Sequence, residues 1–373
     1  MRKNLFEEGV MNIVVAMDSF KGSLTSLEAG NAVKSGILRA CPDAEVAVFP
    51  LADGGEGTID AIAPFVGGIT KTIKVTGPLG RPVKSSYIID VSYHTAYIEM
   101  AKVCGLTLLA TDEKDPYKTT TYGMGEIILD AVRNGAKELV ICIGGSATND
   151  GGCGMLQALG AKLKDKDGND IPLGAVGLKE LHSADLSGLS LNSITVTVAS
   201  DVTNPLCGPN GASFVYGPQK GASPEACKEM DRWLMNYASL LGFDPFEPGT
   251  GAAGGISFAL KNCLNAHIRS GADLVMEKTV IARKIKDCNI VITGEGRMDS
   301  QTVNGKAPFK ILQTGLKYGR RVIGITGCLG DGYEECLKAG FEQVVPLITP
   351  TMDRDEAEKS VKETAASLFS EII

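Results

Sequence analysis

The sequence predicts an α/β protein of two domains, on three observations. Short β-branched strands alternate with helix-forming segments at both ends of the chain, the middle holds strands of a different, alternating character, and glycine-rich turns follow strand after strand. Glycine is 45 of 373 residues, about 12% against ~7% in an average protein, and the excess lies in turns, not in a low-complexity tract. A chain of this length also exceeds what one core usually supports. The expected architecture is a doubly wound, flavodoxin- or Rossmann-like parallel-sheet domain, residues 11–70 plus 287–373, split in sequence by an inserted α/β domain with a mixed sheet, residues 71–286. Residues 1–10 form an N-terminal extension, since MRKNLFEEGV lacks the apolar core of a signal peptide and Met11 opens a strand directly.

Asn12 to Met17 is the first strand, and its C-terminal end delivers Asp18, Ser19, Lys21 and Ser23, the end of a parallel strand at which open sheets bind ligands. Thr25 or Ser26 caps the next helix, with Glu28 in capping-box position from Thr25, and that helix runs to about Ala40. Glu45 to Phe49 is a second strand, followed by the loop Asp53, Gly54, Gly55, Glu56, Gly57 and a helix to about Val66. Lys71 to Thr76, Val83 to Val91 and Thr95 to Met100 read as strands of an antiparallel or mixed sheet. A helix of roughly Thr121 to Asn134 leads to the strand Glu138 to Ile143, and Leu163 to Leu173 reads as a hairpin around Asp-Lys-Asp-Gly-Asn. Ile194 to Ala199 is a strand ending at Asp201, and Ala222 to Gly242 a helix. The strands near 13, 46, 290, 323 and 344 make one five-stranded sheet, closed by a helix from Asp353 to Ile372, and the cleft between the domains is the default ligand site.

The stretch with the strongest chemical character is ICIGGSATNDGGCG, Ile141 to Gly154: a strand running into glycines interleaved with Ser146, Thr148, Asn149 and Asp150 ahead of a helix. Glycine lets backbone approach a ligand closely, a helix N-terminus points N–H groups at an anion, and hydroxyls and carboxylates can hold a metal. Packing alone also produces such turns, so the neighbouring loops must decide. GTGAAG, Gly249 to Gly254, spells a dinucleotide fingerprint, but no strand precedes it and Pro248 abuts it, which rules that reading out. An anion at this helix N-terminus, through Gly254, and plain packing both stay open.

Composition narrows the function. A net charge of −7 argues against nucleic acid or an anionic membrane as partner, so an anionic substrate needs a local positive site. Ten cysteines without a C-x-x-C pair sit mostly in apolar runs and read as reduced core thiols of a cytoplasmic protein. Three scattered histidines disfavour a histidine-rich metal site or a Ser-His-Asp triad. The longest uncharged run, Val202 to Gln219, is full of Pro, Gly and Asn and cannot span a bilayer.

Five polar loops follow strands: Asp18/Lys21, Asp53/Glu56, Ser146/Asn149/Asp150, Asp201/Asn204 and Glu295/Arg297/Asp299. Acids, one or two cations and abundant glycine backbone suit phosphoryl transfer, which needs magnesium ligands, N–H groups on phosphate oxygens and a carboxylate to take the acceptor hydroxyl's proton. No P-loop, H-R-D or D-F-G set is present. Structural readings compete: Asp53 and Glu56 also suit a helix N-terminus, and Arg297 and Asp299 could pair on the surface. A hydroxy-acid dehydrogenase and a non-catalytic sensor of sugar acids are the other classes weighed. Five acidic loops have little use in a sensor.

DSFKGSLTSLEAG (Asp18 to Gly30), ADGGEGT (Ala52 to Thr58), GGSATNDGGCGMLQALG (Gly144 to Gly160), SDVTNPLCGP (Ser200 to Pro209), the loop from Gly249 to Gly255, and TGEGRMDSQT (Thr293 to Thr302) followed by GKAP together closely resemble the bacterial type I glycerate kinases, from Met11 to near the C-terminus. The resemblance implies ATP-dependent phosphorylation of D-glycerate to 2-phosphoglycerate with Mg2+, in glycerate and glyoxylate or sugar-acid catabolism, and leaves self-association open. The resemblance does not settle the role of each residue, and the following roles are expectations from the loop chemistry. Asp18, Lys21 and Asp201 are catalytic; Ser19, Ser23, Asp53, Gly54, Gly55, Glu56, Gly144, Gly145, Ser146, Thr148, Asn149, Gly254 and Arg297 bind substrate or phosphate; Asp150, Glu295 and Asp299 hold the metal.

Overall fold

The computed structural model describes residues 10–20, 22–189, 191 and 193–372. Lys21 and nearly all of the N-terminal extension lie outside the described residues. The strands of the two main sheets are, in chain order, β1 (Asn12–Met17), β2 (Glu45–Val48), β3 (Ile69–Thr76), β4 (Pro82–Asp90), β5 (Thr95–Glu99) and β6 (Glu138–Cys142). They continue with β7 (Thr195–Ala199), β8 (His267–Arg269), β9 (Ile290–Gly294), β10 (Arg321–Thr326) and β11 (Gln343–Pro346).

The chain is α/β and forms two compact units, one of residues up to Ala52 with those from Ala272 onward, the other Asp53–Gly271. The sequence reading put these limits near 70 and 286. The helix Thr58–Val66 instead belongs to the second unit, because Ile59, Ala61 and Ile62 are buried and its amides are held by β5, as described below.

In the first unit the sheet order is β11-β10-β9-β1-β2, and every pairing is parallel. Numbered within the unit this is 5-4-3-1-2, the doubly wound order whose direction of winding reverses between β1 and β9. Both faces of β1 are covered, which is why it reads as an unbroken apolar run: on one face Ile13, Val15 and Met17 pack in one cluster with Val33, Ile37, Val361 and Phe369 from the helices Ser26–Ala40 and Arg354–Ile372, and on the other Val14 and Ala16 are buried. The expected capping box is present, Thr25 Oγ1 accepting from the Glu28 amide while Glu28 Oε2 accepts from the Thr25 amide.

The second unit's sheet runs β8-β7-β6-β5-β4-β3, parallel from β8 to β5 and antiparallel from β5 to β3. Expected strands and helices fall within a few residues of their places, with one correction. The Asp165 turn forms, its amide donating to the Asn169 carbonyl, and the return limb bridges back at Lys164–Asp170 with the Ile171 amide on the Leu163 carbonyl at 3.0 Å, but the ladder along the length of Lys162–Lys164 is made with Ser183–Asp185.

Candidate functional site

In the first unit, β1 and β9 end side by side at the point where the winding reverses. The Asp18 amide donates to the Gly294 carbonyl at 2.8 Å, so Asp18 and Glu295 open neighbouring loops. Asp18 Oδ1 accepts from the Ser19 amide at 2.7 Å, and Ser23 Oγ donates to the Phe20 carbonyl, shaping the turn that precedes the helix. Glu295 is nearly buried, at 9% exposure. Its Oε1 accepts from Thr302 Oγ1 at 2.7 Å, and Lys306 Nζ lies 3.2 and 3.1 Å from its two oxygens. Lys306 also reaches within 3.8 Å of Asp299, and Arg297 pairs with Asp299 at 3.6 Å, its guanidinium mostly in solvent. Two acids and two cations thus share one strand-end loop. Lys306 is the member of this group that the sequence reading passed over, although it stands in the GKAP stretch next to the acidic loop.

The second unit gathers a separate set at the C-terminal ends of β5, β6, β7 and β8. The Gly144 amide donates to the Gly54 carbonyl at 3.1 Å. A side chain at Gly144 would place its Cβ 2.4 Å from Gly55 Cα, and one at Gly54 would come within 2.5 Å of the Ala199 carbonyl. Bare backbone is the condition for these loops to touch. Asp53 Oδ1 accepts from the Gly55 amide, and Asp201, exposed just beyond β7, accepts from the Gly271 amide at 3.2 Å. Glu56 lies against Gly145, which is exposed with φ +77°. Among the described residues, the Gly145 amide has no protein partner.

The rest of the Ile141–Gly154 stretch turns inward. Ser146 through Gly154 are buried, Asn149 Nδ2 donates to Ser213 Oγ at 2.8 Å, and Thr148 Oγ1 and Asn149 Oδ1 lie in the interior. The Asp150 carboxylate, fully buried, accepts from the Thr121 amide and hydroxyl at 2.8 and 2.9 Å and from the Gly152 amide at 3.1 Å. Burial pushes its pKa up against those hydrogen bonds. Gly254 is locked against the same segment: its φ is +71°, its carbonyl accepts from the Gly151 amide at 3.0 Å, and an added Cβ would fall 1.9 Å from the Thr148 carbonyl. Of the two readings open for Gly254, this geometry is that of close packing.

Two groups here carried no sequence expectation. Glu99 ends β5 fully buried, and its carboxylate accepts from the Gly57 and Ile59 amides at 2.9 and 3.2 Å, capping the helix Thr58–Val66 in place of the side chain that Gly57 lacks. Burial pushes its pKa up. Lys220, 2% exposed, ends inside the glycine loop, Nζ donating to Ser146 Oγ at 2.9 Å and to the Thr148 carbonyl at 2.6 Å. Its one signal in the sequence is that it closes the long uncharged run ending at Gln219.

Burial brings the Lys220 pKa down from 10.5 to about 7, opposed by the Asp150 charge. Between those two values the unfolded chain holds a proton that the folded chain has released, so this group makes stability rise with pH across that window. Lys220→Met should remove up to about 1.4 kcal/mol per pH unit of that rise. Urea midpoints of both proteins at pH 7.5 and 9 measure it; equal pH dependence would refute the lowered value.

Acids at a winding reversal, a lysine among them, and a glycine corner with an open amide are the equipment of an α/β kinase of small molecules. The chain belongs to the glycerate kinase family, whose model matches residues 13–373, and it is a kinase. It is 45% identical to the glycerate 2-kinase of Escherichia coli strain K12 over 354 residues, 93% of each chain. It is also 41% identical to the glycerate kinase of Bacillus subtilis strain 168, covering 96% of this chain and 98% of that one. A crystal structure of a provisionally assigned glycerate kinase 2 from Salmonella typhimurium LT2 superposes with a TM-score of 0.82 at 40% identity, over 98% of both chains. Among the described residues no helix is long and apolar enough to cross a membrane.

Proposed function

We propose that this protein transfers the γ-phosphoryl group of ATP to the 2-hydroxyl of D-glycerate, giving 2-phosphoglycerate and ADP. The observation that carries the reading is the meeting of Asp53–Glu56, Gly144–Gly145 and Asp201 at one sheet end, which supplies bare backbone for an anion beside a carboxylate for a hydroxyl proton. The relatives' names supply the substrate. Asp201 is the base in this reading because it is exposed, whereas Asp150 is sealed in the interior.

Bound Mg2+ would neutralise phosphate charge, and the hard oxygen donors that fit it are Glu295 and Asp299 of the first unit. Asp150 fits it poorly: its carboxylate is fully buried on the Thr121 and Gly152 donors, whereas Glu295 and Asp299 keep some exposure, and its role is to shape the loop. Lys306 and Arg297 hold the acids in place and offer cations to phosphate oxygens. Lys21, three residues after Asp18 in sequence, keeps its expected role as a contact to phosphate or to the glycerate carboxylate.

The test is ADP release from Mg-ATP on adding D-glycerate, with phosphorus NMR of the product. A 2-phosphoglycerate signal supports the proposal; a 3-phosphoglycerate signal overturns the regiochemistry, and silence with D-glycerate overturns the substrate.

A further inference from the structure

Lysine is almost never fully buried without a charged partner. The charged or titratable groups that bear on Lys220 are Asp150 and Cys104, and its amine donates to neutral oxygens. An unbranched apolar side chain would fill the same space without the cost of desolvating an amine. What methionine or leucine could not provide is a pair of N–H donors, and both end on the glycine loop, on Ser146 Oγ and on the Thr148 carbonyl, either side of Ala147.

The opposite side of that segment is held by backbone and one hydroxyl, Thr119 Oγ1 donating to the Ala147 carbonyl at 2.8 Å. The Leu106 amide donates to the Gly145 carbonyl and the Ala147 amide to the Cys104 carbonyl, both at 2.9 Å. The direction of the lysine is set locally: it ends the turn Pro218–Lys220, and the next residue, Gly221, has φ +97° and sits so close to the Lys114 carbonyl that a Cβ would approach to 2.4 Å. Residues 145–148 are therefore clamped between a short backbone ladder reinforced by Thr119 on one side and one amine on the other. The exposed corner, Gly144 and Gly145, adjoins the clamped segment directly.

We propose that Lys220 is a positioning residue that holds the Gly144–Ser146 corner in the shape that receives an anionic group of ATP or of glycerate. This rests on the function proposed above. Lys220 is buried and acts through Ser146 and Thr148.

Lys220→Met and Ser146→Ala are compared with the wild type by steady-state kinetics with ATP and D-glycerate, by thermal melting, and by amide hydrogen exchange of the peptide covering 143–149. In Lys220→Met the KM for one of the two substrates should rise about tenfold or more, and exchange at 144–147 should quicken. Ser146→Ala should show part of the same effect, and the double variant should be no worse than Lys220→Met alone. A lower melting temperature with both KM values and the exchange unchanged would make Lys220 a structural strut and overturn the proposal. If Lys220→Met fails to fold, Ser146→Ala carries the same readouts, and unchanged exchange and KM there overturn it equally. Absence of D-glycerate phosphorylation by the wild type would refute the assigned function, while the exchange comparison still decides whether the lysine shapes the loop.

Discussion

Replacing Lys306 with methionine is expected to lower turnover of D-glycerate phosphorylation by roughly 10²–10³-fold, the loss typical of removing one preorganised group that faces developing charge. Its Nζ lies 3.2 and 3.1 Å from the two oxygens of Glu295 and 3.8 Å from Asp299, beside the winding reversal of the first sheet. A cation held between two acids there is preorganised, needing little rearrangement to meet a phosphate oxygen. Methionine keeps the apolar stem but leaves Glu295, at 9% exposure, with the Thr302 hydroxyl as its remaining hydrogen bond. That also costs stability, roughly 1–3 kcal/mol. The two losses separate when kcat is measured well below each protein's unfolding midpoint. Turnover that stays within about threefold of wild type would remove Lys306 from the chemistry.

The second large effect is structural. Gly254→Ala should destabilise the second unit by roughly 2–5 kcal/mol: φ of +71° strains an L-residue, and the added methyl would sit 1.9 Å from the Thr148 carbonyl, forcing the glycine loop aside. Urea unfolding followed by the fluorescence of Trp233, whose side chain packs in the second unit's core, reads this directly. A variant as stable as wild type, with weaker ATP binding, would restore Gly254 to the role of an anion contact.

Asp18 and Glu295 show why strand-end positions are legible from the chain. Each follows an apolar strand whose end is marked by a change to polar and glycine residues, and a parallel strand buried on both faces writes itself as an unbroken apolar run. Once five such strands are counted, ligand chemistry at their C-terminal ends follows from the architecture. The capping box at Thr25 and Glu28 is readable for the same reason: every group involved lies within one turn of chain.

Lys220 and Glu99 were not legible, because what makes them matter is a partner distant in the chain, whereas Lys306 lies only eleven residues from Glu295. Glu99 caps a helix that begins some forty residues earlier, and Lys220 donates to a loop more than seventy residues before it. Nothing in local spacing distinguishes a lysine that will be buried from one that will be solvated. Asp150 is the converse case: its setting among glycines, Thr148 and Asn149 is that of a ligand-binding loop, yet folding turns its carboxylate onto Thr121.

The same division holds for the glycine loop. Residue order alone established that a strand runs into flexible backbone and then a helix, since those are short-range properties of β-branched residues and of glycine. Which part of that backbone faces outward was set by folding. Gly54 and Gly55 meet Gly144, Gly254 backs Thr148, and Lys220 enters from behind, leaving Gly145 as the loop's exposed corner. Side chains buried among distant neighbours take their roles from the company that packing brings, and that company is a property of the whole fold.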